Sequence, residues 1–447
     1  MDQCTLYFKF AGLGWADHPI PSPIPAPIPG PTTAPRHPSR RASRGRSLEA
    51  MTTRTAPPAP PSAVDVAVIG AGQSGLAAGY FLARAAREAE RGRRPGPPSS
   101  FVLLDASPGP GGAWPHHWDS LRLFSPAEHS SLPGRRMPPS PGPDTPGADH
   151  VVAYLADYEQ RYALPVRHGV RVTRVEHDAD APHPYTLHRE DGPPVAARAV
   201  ISATGSFTRP FLPAVAFGDG FRGEQLHSSA YRRPGPFAGR RVLVVGGGNS
   251  GAQIAADLLL AGVETTWATR RPPRFTPDDV DGRHLFQTAS ARVLGRSEAR
   301  VGDLGDIVML PPVRRARNEA GLHAVPMVSA FTPDGARWDP DAGAVHGWAA
   351  SSRLAAEVRG AERALDTVVW CTGFRADLRH LRGLDLTHRS SGVPATRREV
   401  PTASVDVPGL HLLGYDDWCG AATATLVGVG VHARGAVDDV LAGLAAG

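Results

Sequence analysis

Apolar and polar positions along this chain form short strand-like and helix-like segments, and the clearest of them begins with the apolar run DVAVI. The run turns at Gly70-x-Gly72-x-x-Gly75 and continues into the helical pattern LAAGYFLARAAREAE. Glycines at these positions permit a tight turn, let the backbone approach a pyrophosphate, and let helix and strand pack closely. The helix N-terminus, with Ser74 in its first turn, would then face the phosphates. The pattern therefore predicts a dinucleotide site.

The next strand, FVLLD, ends in Asp105. A carboxylate at this place in a βαβ unit accepts hydrogen bonds from an adenosine ribose and repels a 2′-phosphate, so it indicates FAD or NAD. Asp105 lies further beyond Gly75 than the roughly 20 residues that are usual, and the inserted loop RGRRPGPPSS accounts for the difference. The alternative is that Asp105 only caps a loop.

A second complete βαβ unit follows, with the sequence VLVVGGGNSGAQIAADLLLAGVETTWATRR. Its second strand ends not in an acid but in Arg270 and Arg271, where a 2′-phosphate would lie, so the unit favours NADP over NAD. The alternative is that arginine is simply abundant in a chain with almost no lysine. The predicted cofactor contacts of this unit are Gly246, Gly248, Asn249, Ser250, Gly251, Arg270 and Arg271.

Between the two units, a glycine pair is followed by a large aromatic residue in the string GGAW. It suggests that the chain passes close to a flat ligand, and we expect Gly112 and Trp114 to contact the first cofactor. His116 and His117 come next, but adjacent side chains point in different directions and no third ligand lies at a suitable spacing. We expect both to line a pocket or the surface, and no metal is predicted.

Two later strands end on a glycine, AVISATG at Gly205 and TVVWCTG at Gly373. Such endings can be ordinary turns, but around a nucleotide domain they resemble crossings between two domains. Near the C-terminus, GLHLLGYDDW predicts a strand and an acidic turn at Asp416. A helix starting near Ala421 should follow, and its N-terminus would stabilise an anionic reduced flavin. We therefore expect Gly205, Gly373 and Asp416 to contact cofactor.

Composition excludes several classes of protein. The net charge of +5 is carried mainly by residues 1–62, so the remaining body is nearly neutral and gives no support to nucleic-acid binding. The only lysine, Lys9, lies in that segment, which disfavours Schiff-base chemistry and a Walker-type loop. No apolar run is long enough to span a membrane. Cys4, Cys371 and Cys419 are too far apart for a disulfide scaffold, which fits a reducing cytoplasm.

The predicted architecture is α/β, with two Rossmann-like dinucleotide-binding domains, the second inserted in the first. Residues 63–210 and 365–447 are assigned to the FAD-binding domain, and 211–364 to the NADPH-binding domain. Within the first domain, VRVTRVEHD, YTLHRE and AVISATG predict a β-meander. Within the second, DVDGRHLFQTASARVL predicts an amphipathic helix in a region where we expect substrate selectivity to be encoded.

Residues 1–62 form a Pro- and Arg-rich tail, with runs such as PIPSPIPAPIPGP. Such a segment cannot bury enough apolar surface to fold alone, so we expect it to be disordered. Because the first strand begins soon after Met51, we also expect translation to start there, which would leave the preceding residues outside the protein.

Between the two fingerprints lies the string FRGEQLHSSAY, from Phe221 to Tyr231. It resembles the FxGxxxHxxx[WY] signature of class B flavoprotein monooxygenases, and PFAGRRVLVVGGGNSGAQIA is similar to the stretch that follows it in flavin-containing monooxygenases. The resemblance extends from about Val64 to the C-terminus. Within the class, GGAW, DLGDIVMLPPVR and GLHLLGYDDW most resemble flavin monooxygenases of arsenic-resistance gene clusters.

Baeyer–Villiger enzymes favour Trp followed by Pro or Asp at the end of the signature, whereas here Tyr231 is followed by Arg232. This departure favours oxygenation of a soft heteroatom.

The resemblance implies that NADPH in the second site reduces FAD in the first, and that reduced flavin and O₂ form a C4a-(hydro)peroxyflavin. The substrate would be a small molecule with a nucleophilic sulfur, nitrogen or possibly arsenic centre. His227 would lie at the domain hinge and position neighbouring groups, unless it is simply a core histidine with satisfied hydrogen bonds. No acid or base catalyst is predicted, and neither is an oligomeric state.

The sequence leaves two alternatives open. One is a flavin-dependent NADPH oxidoreductase of the disulfide-reductase kind, which needs two cysteines near the flavin. The other is a non-catalytic redox sensor that binds FAD and NADPH without turnover.

Overall fold

The computed structural model describes residues 59–446, apart from 142–144, 215–219, 281, 300, 342–346 and 349–351. The predictions of a disordered tail and of a start at Met51 concern residues that lie, except for 59–62, outside the described part of the chain. Among the described residues, no helix combines the length and apolarity needed to cross a membrane.

Each half of the chain contains a strand–helix–strand unit with parallel strands, which is typical of an α/β fold. The eight helices of the described residues are α1 (Gln73–Glu90), α2 (Ala148–Arg161), α3 (Asn249–Leu260), α4 (Gly282–Val293), α5 (Val301–Leu304), α6 (Pro311–Glu319), α7 (Arg353–Val358) and α8 (Val429–Ala446). The strands of the first sheet are β1 (Ala63–Ile69), β2 (Phe101–Leu104), β3 (Val166–Arg167), β4 (Val172–His177), β5 (Tyr185–Arg189), β6 (Val195–Ser202) and β15 (Leu410–Leu412).

The first sheet has the order β3-β2-β1-β6-β5-β4, and β15 also pairs with β6. Strands β3, β2, β1, β6 and β15 run parallel, whereas β4, β5 and β6 form an antiparallel meander. The predicted β-meander on the first domain is thus confirmed. Strand β1 is buried on both faces, in keeping with its continuous apolar sequence.

The second sheet is fully parallel, with the order β10-β9-β8-β14-β7. Its strands are β7 (Glu224–His227), β8 (Arg241–Val245), β9 (Glu264–Thr269), β10 (Ala324–Pro326) and β14 (Thr367–Trp370). A small antiparallel sheet is made of β11 (Ala330–Thr332), β12 (Gly335–Arg337) and β13 (Glu362–Ala364). The predicted α/β class with two Rossmann-like units is confirmed, and the amphipathic helix expected in the second unit is α4.

The chain passes between the two sheets twice. The first crossing follows β6, and the second follows β14, which pairs with β7 and β8 and therefore belongs to the second sheet. The second sheet accordingly extends to Trp370, beyond the predicted domain boundary at 364. The two crossings meet in a short antiparallel contact between Pro210 and Phe374.

Candidate active site

The first glycine turn connects β1 to α1. Close contacts with neighbouring backbone leave no room for a side chain at two of its three glycines. Gly70 has a φ of +99°, and a Cβ there would lie 2.5 Å from the carbonyl oxygen of Ala203 at the end of β6. A Cβ on Gly75 would lie 1.8 Å from the carbonyl oxygen of Gly70. Gly72, in contrast, has only the Cα of Gly112 near it, at 3.8 Å. Space therefore remains in front of the α1 N-terminus, where a phosphate could approach.

Asp105 lies at the carboxyl end of β2, directly beside this turn. Its Oδ2 accepts a hydrogen bond from the amide of Ala71 (2.5 Å), and its Oδ1 accepts one from the amide of Ser107 (2.7 Å). The carboxylate is thus buried and held over the glycine turn by the backbone. Since each carboxylate oxygen accepts more than one hydrogen bond, both can still receive ribose hydroxyls.

The GGAW segment packs on the same turn. A Cβ on Gly112, whose φ is +57°, would lie 2.7 Å from the Cα of Gly72. Trp114 is buried, and its indole Nε1 donates to Oε1 of Gln73 (3.3 Å). The Nε2 of Gln73 in turn donates to the carbonyl of Ala424 (2.7 Å). Gln73 therefore joins three distant parts of the chain, and its position between Gly72 and Gly75 was the only sequence signal for this role.

The C-terminal segment after β15 covers the start of α1. A Cβ on Gly414 would lie 2.0 Å from Oγ of Ser74, so the Ser74 side chain packs directly on the Gly414 backbone. Asp416 accepts a hydrogen bond from the amide of Asp417 through its Oδ1 (2.7 Å). Thr423 is fully buried, and its Oγ1 has no hydrogen-bond partner among the described residues. An orphaned buried hydroxyl of this kind is costly unless a ligand satisfies it.

The expectation of a helix starting near Ala421 is wrong. Helix α8 begins at Val429, and the preceding residues form turns. The physical reason lies in the backbone, because Gly420 and Ala422 have φ values of +128° and +53°, which a right-handed helix does not allow. Residues 421–428 therefore present a non-helical segment, rather than a helix N-terminus, next to Gln73.

The second glycine turn, between β8 and α3, repeats the geometry of the first. Gly246 has a φ of +143°, and a Cβ there would lie 2.2 Å from the carbonyl oxygen of Cys371 at the end of β14. A Cβ on Gly251 would lie 2.1 Å from the carbonyl oxygen of Gly246. That oxygen also accepts a hydrogen bond from the indole Nε1 of Trp267 (2.7 Å). Gly248 precedes α3 as its N-cap.

The polar residues around the second turn fall into two groups. Arg270 and Arg271 follow β9 directly and are exposed. Asn249 and Ser250, at the start of α3, are buried. The side-chain Oδ1 of Asn249 accepts from the amide of Val308 (2.7 Å), and its Nδ2 donates to a backbone carbonyl (3.2 Å). The amide group of Asn249 thus holds a neighbouring segment, a contact that sequence reasoning missed.

The signature FRGEQLHSSAY lies along β7 and its exit. A Cβ on Gly223 would lie 2.2 Å from the ring of Phe221, which explains the Phe-x-Gly spacing. At the other end, the hydroxyl of Tyr231 donates to Oδ2 of Asp257 on α3 (2.7 Å). Burial raises the pKa of the Asp257 carboxyl above its ordinary value. The signature is therefore attached to the second sheet at one end and to α3 at the other.

His227 ends β7 next to the second crossing. Its Nδ1 accepts from the amide of Ser229 (3.1 Å), so Nε2 carries the proton and donates to the carbonyl of Gly373 (3.0 Å). Burial lowers the pKa of His227 to about 4, and the imidazole is neutral at neutral pH. Both ring nitrogens bond to the protein, an arrangement that suits a positioning role at the crossing.

Aromatic rings link the two crossings to the GGAW segment. The ring of Phe207 stacks on Phe374 (centroids 5.2 Å apart) and on His116 (5.9 Å), and His227 meets Phe374 edge to face (4.8 Å). His117 is buried and packs edge to face on Phe207 (5.0 Å), whereas His116 is exposed. Gly205, between β6 and Phe207, has open space on the side where a Cβ would lie. Both crossings thus reach one region, between the two glycine turns.

Comparison with known proteins agrees with this arrangement. A family described as pyridine nucleotide-disulphide oxidoreductase matches residues 67–286. The solved structure of a flavin-containing monooxygenase from Stenotrophomonas maltophilia is 45% identical, over 86% of this chain and 99% of that chain, with a TM-score of 0.70. The chain belongs to the flavin-containing monooxygenases. The resemblance seen in the sequence is thereby confirmed.

Two curated relatives of this flavin-containing monooxygenase are informative as well. An uncharacterized CzcO-like oxidoreductase from Geobacillus kaustophilus is 28% identical over 85% of this chain and 98% of its own length. The indole-3-pyruvate monooxygenase YUCCA1 of Oryza sativa is 32% identical, over 50% of this chain and 52% of its own length. Membership of the family establishes an FAD-dependent oxidoreductase and confirms FAD and a pyridine nucleotide as the expected cofactors.

The residues of the first turn fit FAD on their own evidence. The space before Gly72, the carboxylate of Asp105 and the orphaned hydroxyl of Thr423 surround the α1 N-terminus. The two cysteines of the described residues do not suit disulfide chemistry. Burial raises the pKa of the Cys371 thiol far above its ordinary value and that of Cys419 to about 12, so neither is a thiolate at neutral pH.

Proposed function

We propose that this flavin-containing monooxygenase uses NADPH and O₂ to oxygenate a small soft nucleophile through a C4a-(hydro)peroxyflavin, with sulfur, nitrogen or arsenic as the reacting atom. The observation that carries the proposal is that the two glycine turns lie beside residues of opposite charge. In the first unit, the second strand is followed by the carboxylate of Asp105. In the second unit, it is followed by the guanidinium groups of Arg270 and Arg271. A carboxylate suits an unphosphorylated ribose, and a pair of guanidinium groups suits a 2′-phosphate.

The division of labour between domains follows from this pair. Residues 63–210 and the chain after the second crossing would bind FAD, and the inserted domain, which includes β14, would bind NADPH. Gly70, Gly72, Ser74, Gly75 and Asp105 would hold the FAD adenosine and pyrophosphate. The other proposed contacts to FAD are Gly112, Trp114, Gly205 and Asp416. The NADPH contacts are Gly246, Gly248, Asn249, Ser250, Gly251, Arg270, Arg271 and Gly373.

The reaction would take a hydride from NADPH and a proton, insert one oxygen atom of O₂ into the substrate and release the other as water. When bound, FAD supplies the hydride acceptance and the reactivity with O₂. The protein supplies position and exclusion of water. His227 fixes the second crossing through the Gly373 carbonyl, and the stacked rings of Phe207 and Phe374 keep the region between the turns apolar.

The test is to reduce the purified enzyme anaerobically with NADPH, mix it with O₂ in a stopped-flow instrument, and record spectra with and without added dimethyl sulfide. We expect a C4a-hydroperoxyflavin spectrum that persists without substrate and decays faster when sulfide is added, with sulfoxide as product. Direct reoxidation with no intermediate and no sulfoxide would contradict the proposal. Reduction of a disulfide without oxygen consumption would indicate a reductase, and flavin reduction without any turnover a redox sensor.

A further inference from the structure

Helix α4 belongs by sequence to the inserted domain but packs on segments of the FAD-binding domain. At its start, a Cβ on Gly282 would lie 2.2 Å from the carbonyl oxygen of Phe124, so the two backbones touch. One turn later, the ring of Phe286 stacks on His129, with centroids 4.4 Å apart and planes 28° from parallel. Both Phe124 and His129 come from the chain between GGAW and α2. Helix α4 therefore spans the two domains.

The end of α4 makes a third contact across the domains, through an ion pair. Arg292 Nη1 lies 2.7 Å from Oδ2 of Asp417, and each of the two side chains is only 13% exposed. The other carboxylate oxygen, Oδ1, accepts from the amide of Ala422 (2.9 Å). Charges this far from water are worth little to stability as a pair, but loss of one partner leaves the other uncompensated and is strongly unfavourable.

Asp417 and Ala422 belong to the segment that covers the first glycine turn, which we call the covering segment (residues 414–428). This segment reaches the turn through the contact of Gly414 with Ser74 and through the hydrogen bond from Gln73 to Ala424. Its backbone is held in an uncommon conformation, since Ala422 has a positive φ without being glycine. Such a conformation persists only where neighbouring contacts over-determine it, and the Asp417 carboxylate supplies one of them.

We propose that Arg292 is a positioning residue that fixes the covering segment through Asp417, and that α4 is thereby a strap that closes the FAD site from the NADPH-binding domain. The inference rests on the proposed function, because it assigns to the strap the exclusion of water from the oxygenation site. Independently of oxygenation, flavin retention and the local order of α4 should both depend on the ion pair between Arg292 and Asp417.

The experiment uses the flavin-loaded enzyme and its variants Arg292→Met, Asp417→Asn and Arg292→Lys. Asp417→Asn keeps the oxygen that accepts from Ala422 and removes only the charge. Arg171→Met is the matched control, since Arg171 forms an ion pair with Glu190 (3.2 Å) in which both side chains are about half exposed. Three quantities are measured: the rate of FAD release, the rate of chymotrypsin cleavage after Phe286, and the fraction of NADPH oxidation that ends in H₂O₂.

We expect Arg292→Met and Asp417→Asn to raise FAD release and cleavage at Phe286 by about tenfold and to increase the H₂O₂ fraction several-fold. Arg292→Lys, which keeps the positive charge, should show a smaller effect on each quantity, and Arg171→Met should match the wild type. Wild-type release and cleavage rates in both single variants, or equal effects in Arg171→Met, would overturn the proposal. If no variant and no wild-type enzyme oxygenates a substrate, the proposed function fails, while release and cleavage still decide the role of Arg292.

Discussion

The two glycine turns of this monooxygenase have nearly the same backbone geometry and very different surroundings. In each, the first glycine packs against the end of a strand that leads into a crossing, and the third packs against the first. Around the first turn, Asp105 and Gln73 are buried and the covering segment is largely buried. At the second turn Asn249 and Ser250 are buried as well, but Arg270 and Arg271 at the end of the second strand are exposed. On the proposed assignment, the shared backbone would bind a pyrophosphate, and the surroundings would decide how long the ligand stays. An enclosed site suits a resident FAD, and an open one suits an NADPH that exchanges in every cycle.

The largest effect that tests this comparison should come from the paired variants Gly75→Ala and Gly251→Ala. The added methyl groups would lie 1.8 Å and 2.1 Å from backbone oxygens, so each turn must shift. We expect a loss of at least about 3 kcal/mol in the free energy of unfolding for either variant. The ligands should differ: Gly75→Ala should be purified without FAD, and Gly251→Ala should keep FAD but lose NADPH binding. Flavin absorbance and NADPH titration measure this, and an equal loss of FAD in both variants would erase the distinction.

A smaller effect is expected from replacing both Arg270 and Arg271 by alanine. Because each guanidinium can donate charged hydrogen bonds to a 2′-phosphate, the preference for NADPH over NADH should fall by about 100-fold. Rates of flavin reduction at varied NADPH and NADH concentrations give the two values of kcat/KM. The rate with NADH itself should change little, which serves as the internal control. If the ratio is unchanged, the arginines have no part in nucleotide selection.

The smallest effect concerns the crossing that joins the two sites. His227 has a folded-state pKa of about 4, below the ordinary value of 6.5, so between these values the unfolded chain binds a proton that the folded chain does not. Stability is therefore lost as the pH falls through this window, by about 2 kcal/mol from this residue between pH 7 and pH 5. Replacement by glutamine should remove that part of the dependence.

Urea unfolding at both pH values measures the difference between the two proteins. His117 and His380 have pKa values lowered by burial to about 3 and about 4, and they add a loss of the same sign to both proteins. An unchanged pH dependence in the His227→Gln variant would show that the histidine titrates normally.

The sequence was sufficient for those features that depend on local spacing. Glycine spacing predicted both turns, and the apolar runs predicted the parallel strands around them. The sequence also predicted that the second strand of each unit ends at Asp105 or at Arg270. Features that depend on contacts between distant residues escaped prediction. Gln73 bonds to Ala424 across most of the chain, and no local pattern signals such a partner.

The start of α8 could not be predicted from local sequence either. Residues after Gly420 have a helix-compatible composition, yet the helix begins only at Val429. The positive φ of Ala422, and the hydrogen bond that its amide donates to the Asp417 carboxylate, belong to a conformation fixed by tertiary contacts. The helix propensity of residues 421–428 could not reveal this conformation, because tertiary contacts override propensity. The pair Arg292 and Asp417 was invisible for the same reason.

Each glycine turn also has a buried tryptophan bonded to it, and this gives the molecule two optical reporters. Trp114 donates to Gln73 beside the first turn, and Trp267 donates to the carbonyl of Gly246 within the second. Indole emission overlaps the absorption bands of both flavin and reduced nicotinamide. The sequence contains eight tryptophans, so each contribution is isolated as the difference between the wild type and a Trp114→Phe or Trp267→Phe variant. Quenching of the Trp114 contribution should then report FAD occupancy, and quenching of the Trp267 contribution should report the arrival and departure of NADPH.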